Sequence, residues 1–154
     1  MSPNGSPFER GKHEKRCAHA RARVGETGLP LVYVNQFGGQ DELVFDGGSF
    51  VMAGDGEIAV QGAVWSSDII MTDWHCGDGV WACSPQTAAS APDELEQIYQ
   101  AAMLGLRDYV NKNGFPSVLL GLSGGIDSAI CAAMAVDALG ADHVHAVMLP
   151  SRYT

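Results

Sequence analysis

The residues of this chain with the clearest chemical meaning are Ser123, Gly124, Gly125, Asp127 and Ser128, within Ser117-Val-Leu-Leu-Gly-Leu-Ser-Gly-Gly-Ile-Asp-Ser128. Two hydroxyls, a carboxylate and paired glycines at this spacing suit the binding of an anion. An apolar strand, Val118 to Leu122, runs into the turn, and a helix from about Asp127 to Leu139 follows it. Backbone N–H groups then point outward at the positive end of a helix dipole, and the glycines let a phosphate approach the main chain. A Walker-type P-loop is excluded, because the Gly-Lys-Ser/Thr ending that reaches the phosphates is missing. A nucleophile elbow fits Gly121-Leu122-Ser123-Gly124-Gly125 in form. That fold needs an acid and then a histidine further along, and only His143 and His145 follow, both in the next βα unit.

The third reading, Ser-Gly-Gly-x-Asp-Ser, accounts for every residue of the turn. It resembles the PP-loop of the N-type ATP pyrophosphatases. Gly121-Leu-Ser-Gly-Gly-Ile-Asp-Ser-Ala129, followed by Val147-Met-Leu-Pro-Ser-Arg-Tyr-Thr154, resembles the synthetase domain of the NAD synthetases. An ordinary glycine turn explains neither the Asp-Ser after the glycines nor the tail at the end of the next strand. The resemblance implies that Gly121, Leu122, Ser123, Gly124, Gly125, Ile126, Asp127, Ser128 and Met148 bind ATP. It further implies that Asp127 holds Mg²⁺, which prefers one or two carboxylates plus phosphate oxygens. The plainer role for Asp127 is a helix cap or dipole partner.

Earlier in the chain, Asn4-Gly-Ser-Pro-Phe-Glu-Arg-Gly-Lys12, Tyr33-Val-Asn-Gln-Phe-Gly-Gly-Gln-Asp41 and Phe45-Asp-Gly-Gly-Ser-Phe-Val51 are similar to the carbon–nitrogen hydrolase (nitrilase-like) glutaminase domain. That domain precedes the synthetase domain in glutamine-dependent NAD synthetases. By this resemblance Ser6 and Lys12 contact glutamine, Lys12 pairing with its α-carboxylate; the plainer reading of Lys12 is a surface lysine. The family's Glu-Lys-Cys triad is expected upstream, so no catalytic residue is assigned here. Cys17 stands on a helix after Asn-Gly-Ser-Pro, in the wrong context for the nucleophile, and is read as structural.

These groups need elements to position them. Glu9 to Val24 reads as a polar helix with Cys17, Ala18, Ala20 and Val24 on its apolar side, ended by Thr27-Gly28 and Pro30. Leu29 to Val34 reads as a strand buried on both faces. Ser49–Ala53 and Glu57–Gln61 flank Gly54-Asp55-Gly56, a hairpin signal. Between 66 and 92 the pattern dissolves around Trp65, Trp74 and Trp81, which read as anchors for a linker. After Pro92, Leu95, Ile98, Tyr99, Ala102, Leu106, Tyr109 and Val110 recur at helical spacing, on a helix expected to pack on the sheet that carries the PP-loop strand. Val118 to Leu149 then reads as one βαβ unit with parallel strands.

The fold class expected is α/β. The C-terminal part of a nitrilase-like α/β sandwich (1–75) and a linker (76–92) lead into a synthetase portion (93–154). That portion holds the first βαβ of a Rossmann-like, adenine nucleotide alpha hydrolase-like parallel sheet. The hydrophobic fraction of 46% and charged fraction of 18% are those of a globular chain. A net charge of −9 argues against sequence-independent nucleic-acid binding, and no apolar run approaches a membrane span. The basic residues from Arg10 to Arg23 are interleaved with Glu9, Glu14 and Glu26, as on a solvated helix face. Cys17, Cys76, Cys83 and Cys131 form no metal or disulfide pattern. The function implied is ATP-dependent amidation of deamido-NAD through an adenylated intermediate, with ammonia from glutamine. The full-length enzyme would be cytoplasmic and homo-oligomeric, and this chain alone inactive. The alternatives are an amidase-like domain fused to another PP-loop ligase, GMP-synthetase-like or asparagine-synthetase-like, and a non-catalytic nucleotide-binding fragment.

Overall fold

The structure, a computed structural model, describes residues 1–86 and 92–149. The chain divides into two compact units, Met1–Gly38 with Phe45–Glu94, and Gly39–Val44 with Leu95–Thr154.

In the first unit, β1 (Ser2–Asn4) pairs in parallel with β2 (Leu31–Asn35), and α1 (Lys12–Thr27) connects them. Asn4, the first residue of the Asn-Gly-Ser-Pro motif, thus ends a short strand. Helix α1 begins three residues later than its charge pattern suggests, because Gly11 before it adopts left-handed backbone (φ 67°). Strands β3 (Phe37–Gln40) and β4 (Leu43–Asp46) form a two-stranded sheet, of which Gly39–Val44 belongs to the second unit. β5 (Phe50–Met52) and β6 (Ile58–Gln61) form the expected antiparallel hairpin, completing a four-stranded sheet in the order β1-β2-β5-β6.

Strand alternation sends Phe50 and Met52 to one face and Val51 to the other. On the first face Cys17, Ala20 and Val24 of α1 cover Phe50 and Met52, with the Tyr33 and Phe50 rings stacked at 4.8 Å. Burying side chains of that size stabilises by roughly 1.5–3 kcal/mol each. On the second face Val51, Ala59 and Val60 pack with Cys83, Ile70 and Trp74. Strand β2 departs from the expected burial on both faces: Val34 is 39% exposed, since the cover on that side stops at Ile70 and Trp74.

The stretch expected to begin a linker at 76 instead holds an antiparallel hairpin, β7 (Trp74–Gly77) and β8 (Val80–Cys83). Its turn is Asp78-Gly79, both with positive φ (50° and 79°), the geometry that suits a two-residue hairpin loop. Trp65 lies edge-on to Phe8 at 4.9 Å, and the Trp74 indole donates to Thr72 Oγ1 at 3.0 Å. Both act as anchors, as read from sequence, while Trp81 is half exposed. The rest of the expected linker, 87–91, lies outside the described residues, as does the tail Pro150–Thr154.

In the second unit, α2 (Glu94–Lys112) buries Leu104 and Val110 and leaves Leu95 exposed. A different face of α2, carrying Gly105, Asp108 and Lys112, holds the segment Gly39–Val44. Gly39 N–H donates to Asp108 Oδ2 at 2.7 Å, Lys112 Nζ donates to Gly39 O, and Val44 lies over Gly105. Then β9 (Val118–Leu122), α3 (Ile126–Leu139), a short 3-10 turn (Ala141–His143) and β10 (Val144–Met148) follow, with β10 parallel to β9. That is the expected βαβ unit.

Candidate functional site

The turn of interest sits at the carboxyl end of β9, with Met148 of β10 in register beside Leu122, where open parallel sheets bind ligands. Gly124 has φ 86°, a conformation that needs glycine. Gly125 precedes α3 in extended conformation, and no side chain caps the helix, so its first N–H groups remain open to an acceptor. Ser128 Oγ donates to Gly125 O at 2.9 Å and accepts from Ser123 N–H at 3.3 Å. The Ser123 and Ser128 hydroxyls are 3.2 Å apart, and Ser123 Oγ accepts from Gly125 N–H at 3.4 Å. The two hydroxyls therefore satisfy each other inside the loop, and a phosphate oxygen would take over bonds that already hold the turn.

Asp127 lies in the first turn of α3, and its carboxylate has no hydrogen bond or ion pair among the described residues. It is exposed and caps nothing. Ile126 and Met148 are also exposed, at 79% and 76%. Gly121 does a different job from its neighbours: a Cβ there would stand 2.6 Å from Leu149 Cδ1. Among the described residues no cluster of three metal-ligating side chains occurs. A cation at this turn would have one protein carboxylate, Asp127, and would need its other ligands from phosphate and water.

In the first unit, Ser6 and Lys12 line one cleft of about 430 Å³, together with Lys15, Arg23, His19 and Tyr33. The sequence-derived pair is thus brought together. Lys12 Nζ, however, rests on Glu9 Oε1, and that contact holds the exposed Glu9 carboxyl below its usual range. A ligand carboxylate would compete with Glu9 for the lysine.

Not every basic residue of α1 is solvated. Arg16 is 4% exposed and grips Asp46 with both ends of its guanidinium, at 2.8 and 2.9 Å. Asn35 joins this cluster through Gly47 O and Ser6. Sequence reading missed it, because a helix rich in Arg and Glu gives no sign of which arginine points inward. The one available signal is spacing: Arg16 stands one residue before Cys17 and four before Ala20, on the buried side. Cys17 is buried as expected of a structural cysteine. Burial pushes its thiol up and the His13 imidazole down, so this pair, 3.5 Å apart, favours neutral thiol over thiolate.

No helix among the described residues is long and apolar enough to cross a membrane. Residues 4–78 match the carbon-nitrogen hydrolase family and residues 98–154 the NAD synthase family. Over its whole length the chain is 53% identical to a glutamine-dependent NAD(+) synthetase of Rhodobacter capsulatus and 47% identical to one of Xylella fastidiosa, covering 28% of each. The solved glutamine-dependent NAD+ synthetase of Acinetobacter baumannii, in complex with ADP, matches the whole chain at a TM-score of 0.89 and 42% identity, over 30% of that structure. The corresponding protein of Cytophaga hutchinsonii shares the fold over 90% of this chain, at a TM-score of 0.64 and 23% identity. The chain spans about 28% of the length of these curated relatives. With its two segments in that order and a match end to end, the chain is similar to the corresponding stretch of glutamine-dependent NAD(+) synthetases, a carbon-nitrogen hydrolase segment followed by an NAD synthase segment.

Proposed function

We propose that the protein carrying this chain makes NAD from deamido-NAD with ATP, using ammonia released from glutamine. The observation that supports this best is the Ser123–Ser128 turn with the Asp127 carboxylate beside it, unpartnered among the described residues. In this reading an oxygen of the deamido-NAD carboxylate attacks the α phosphorus of ATP and pyrophosphate leaves. Ammonia then attacks the acyl carbon of the adenylate, and AMP leaves. There is little covalent work for the protein beyond positioning and charge stabilisation.

The uncapped N–H groups of α3 and the N–H groups of Gly124 and Gly125 receive the pyrophosphate oxygens. Ser123 and Ser128 turn their hydroxyls from each other to the same oxygens. Gly121, Leu122 and Ile126 shape the floor, and the main chain at Met148 faces the adenine edge. Asp127 is the residue that would hold Mg²⁺, which supplies positive charge to the phosphates when bound. In the other unit Ser6 and Lys12 receive glutamine. The division of labour proposed is 1–75 for the glutaminase portion and 93–154 for the synthetase portion, joined through 76–92. The enzyme acts in the cytoplasm as a homo-oligomer.

The test uses the full-length enzyme carrying this segment, supplied with ammonia so that glutamine hydrolysis is bypassed. Replacing both serines (Ser123→Ala with Ser128→Ala) is expected to lower kcat/KM for ATP by about a hundredfold, the scale of losing oriented donors to a leaving group. Wild-type kcat/KM for ATP in a protein that melts normally would overturn the reading.

A further inference from the structure

Ser6 is held at every polar atom by side chains that belong to no assigned site. Its N–H donates to Asn35 Oδ1 at 3.0 Å. Its carbonyl accepts from Asn35 Nδ2 at 3.1 Å and from Arg16 Nη2 at 2.8 Å. Its hydroxyl oxygen accepts from Arg16 Nε at 3.1 Å. Arg16 Nη2 also reaches the Pro7 carbonyl at 3.1 Å, and both guanidinium ends fork onto Asp46. Arg16, Asn35 and Asp46 are 4%, 7% and 5% exposed.

A buried ion pair is a poor device for stability alone, since apolar residues of the same volume do as well or better. This one does something that apolar residues cannot. A guanidinium only donates hydrogen bonds. Ser6 Oγ is therefore fixed as an acceptor toward Arg16, and its own hydrogen is left for another partner. No other hydrogen bond of that hydroxyl is present among the described residues. Ser6 lines the same cleft as Lys12. A donor hydroxyl near an ammonium group selects an anionic oxygen over an amide N–H.

We infer that Arg16 is a positioning residue: with Asp46 and Asn35 it fixes Ser6 as a hydrogen-bond donor to the α-carboxylate of the amide-bearing substrate. The inference rests on the proposed glutamine contact of Ser6 and adds what sets the polarity of that contact.

The experiment measures glutamine-dependent and ammonia-dependent NAD formation on the same sample of full-length enzyme, with glutamine and with glutamine methyl ester as the amide donor. Arg16→Lys keeps the charge but loses the fork. It is expected to raise KM for glutamine by about tenfold to a hundredfold, the scale of a small misplacement in a site. The preference for glutamine over its ester should fall with it. Ser6→Ala should do the same, and combining it with Arg16→Lys should add little, because both act through one hydroxyl. A melting temperature that drops in Arg16→Lys without any change in ester preference would make Arg16 purely structural and overturn the inference. Where Ser6→Ala raises KM but Arg16→Lys does not, the inference falls and the glutamine contact stands. Where Ser6→Ala leaves KM unchanged, the glutamine contact itself is wrong and the inference falls with it. If Arg16→Lys fails to melt cooperatively, Asn35→Ser, which also loosens Ser6, is judged by the same KM and ester criteria.

Discussion

Gly121 on β9 lies directly under Leu149: a Cβ on Gly121 would stand 2.6 Å from Leu149 Cδ1. The residue after β10 thus folds back onto the strand that feeds the glycine turn, and the Leu149 N–H donates to Leu122 O at 2.8 Å. A similar clash awaits a Cβ on Gly62, 2.6 Å from Ile70 Cδ1 and 3.0 Å from Ser49 O. The two sites differ in what can yield. Leu149 is 56% exposed and can swing away, whereas Ser49 O is main chain. Gly121→Ala is therefore expected to cost under about 1 kcal/mol while raising KM for ATP, and Gly62→Ala to cost about 1–3 kcal/mol. Denaturant melts of each variant, with ATP titration of the first, check both expectations.

Asp127 accepts no bond from the helix it begins, and Gly125 rather than Asp127 occupies the cap position. Asp127→Asn should therefore change stability by less than about 0.5 kcal/mol, as for a surface substitution. The ammonia-dependent rate should fall by orders of magnitude and recover in part when Mg²⁺ is raised. A thermal melt run beside the rate measurement separates this from a capping role, which would lower the melt and spare the activity of each folded molecule.

The acid and alkaline limbs of stability should carry the marks of His13 and Cys17. His13 is pushed below its ordinary 6.5 by burial and by Arg16, against Asp46 and Glu14. The unfolded chain then binds the extra proton, so this contribution is complete above 6.5 and lost as pH falls toward the folded value. Cys17 is pushed above its ordinary 9.0 by burial and by Glu14, against Arg21 and Arg16. Its contribution is complete below 9.0 and lost as pH rises toward the folded value. His13→Gln should flatten the acid limb and Cys17→Ala the alkaline one, read from melting temperature against pH.

The order Val118–Leu122, Ser-Gly-Gly, then helix was legible because each step uses a local signal: an apolar run, a glycine that alone tolerates φ 86°, and helical periodicity. The Gly54-Asp55-Gly56 hairpin was legible for the same reason. The Asp78-Gly79 hairpin carried the same signal, and only its polar surroundings hid it. Local chemistry also marked Ser6 and Lys12 through a resembling motif, but not their setting. Whether Arg16 meets water or Asp46 depends on a residue thirty positions away. No pattern along a helix records that distance. Helical phase alone admits both answers for an arginine beside the apolar stripe, and its long side chain can reach either way. Only the fold brings β4 to α1 and puts the Asp46 carboxylate where Arg16 must bury its charge. The sequence by itself thus singled out the residues whose types and spacing suit an anion. The tertiary structure decided which of them are already satisfied by the protein and which remain free for a ligand, because that depends on partners brought together only by folding.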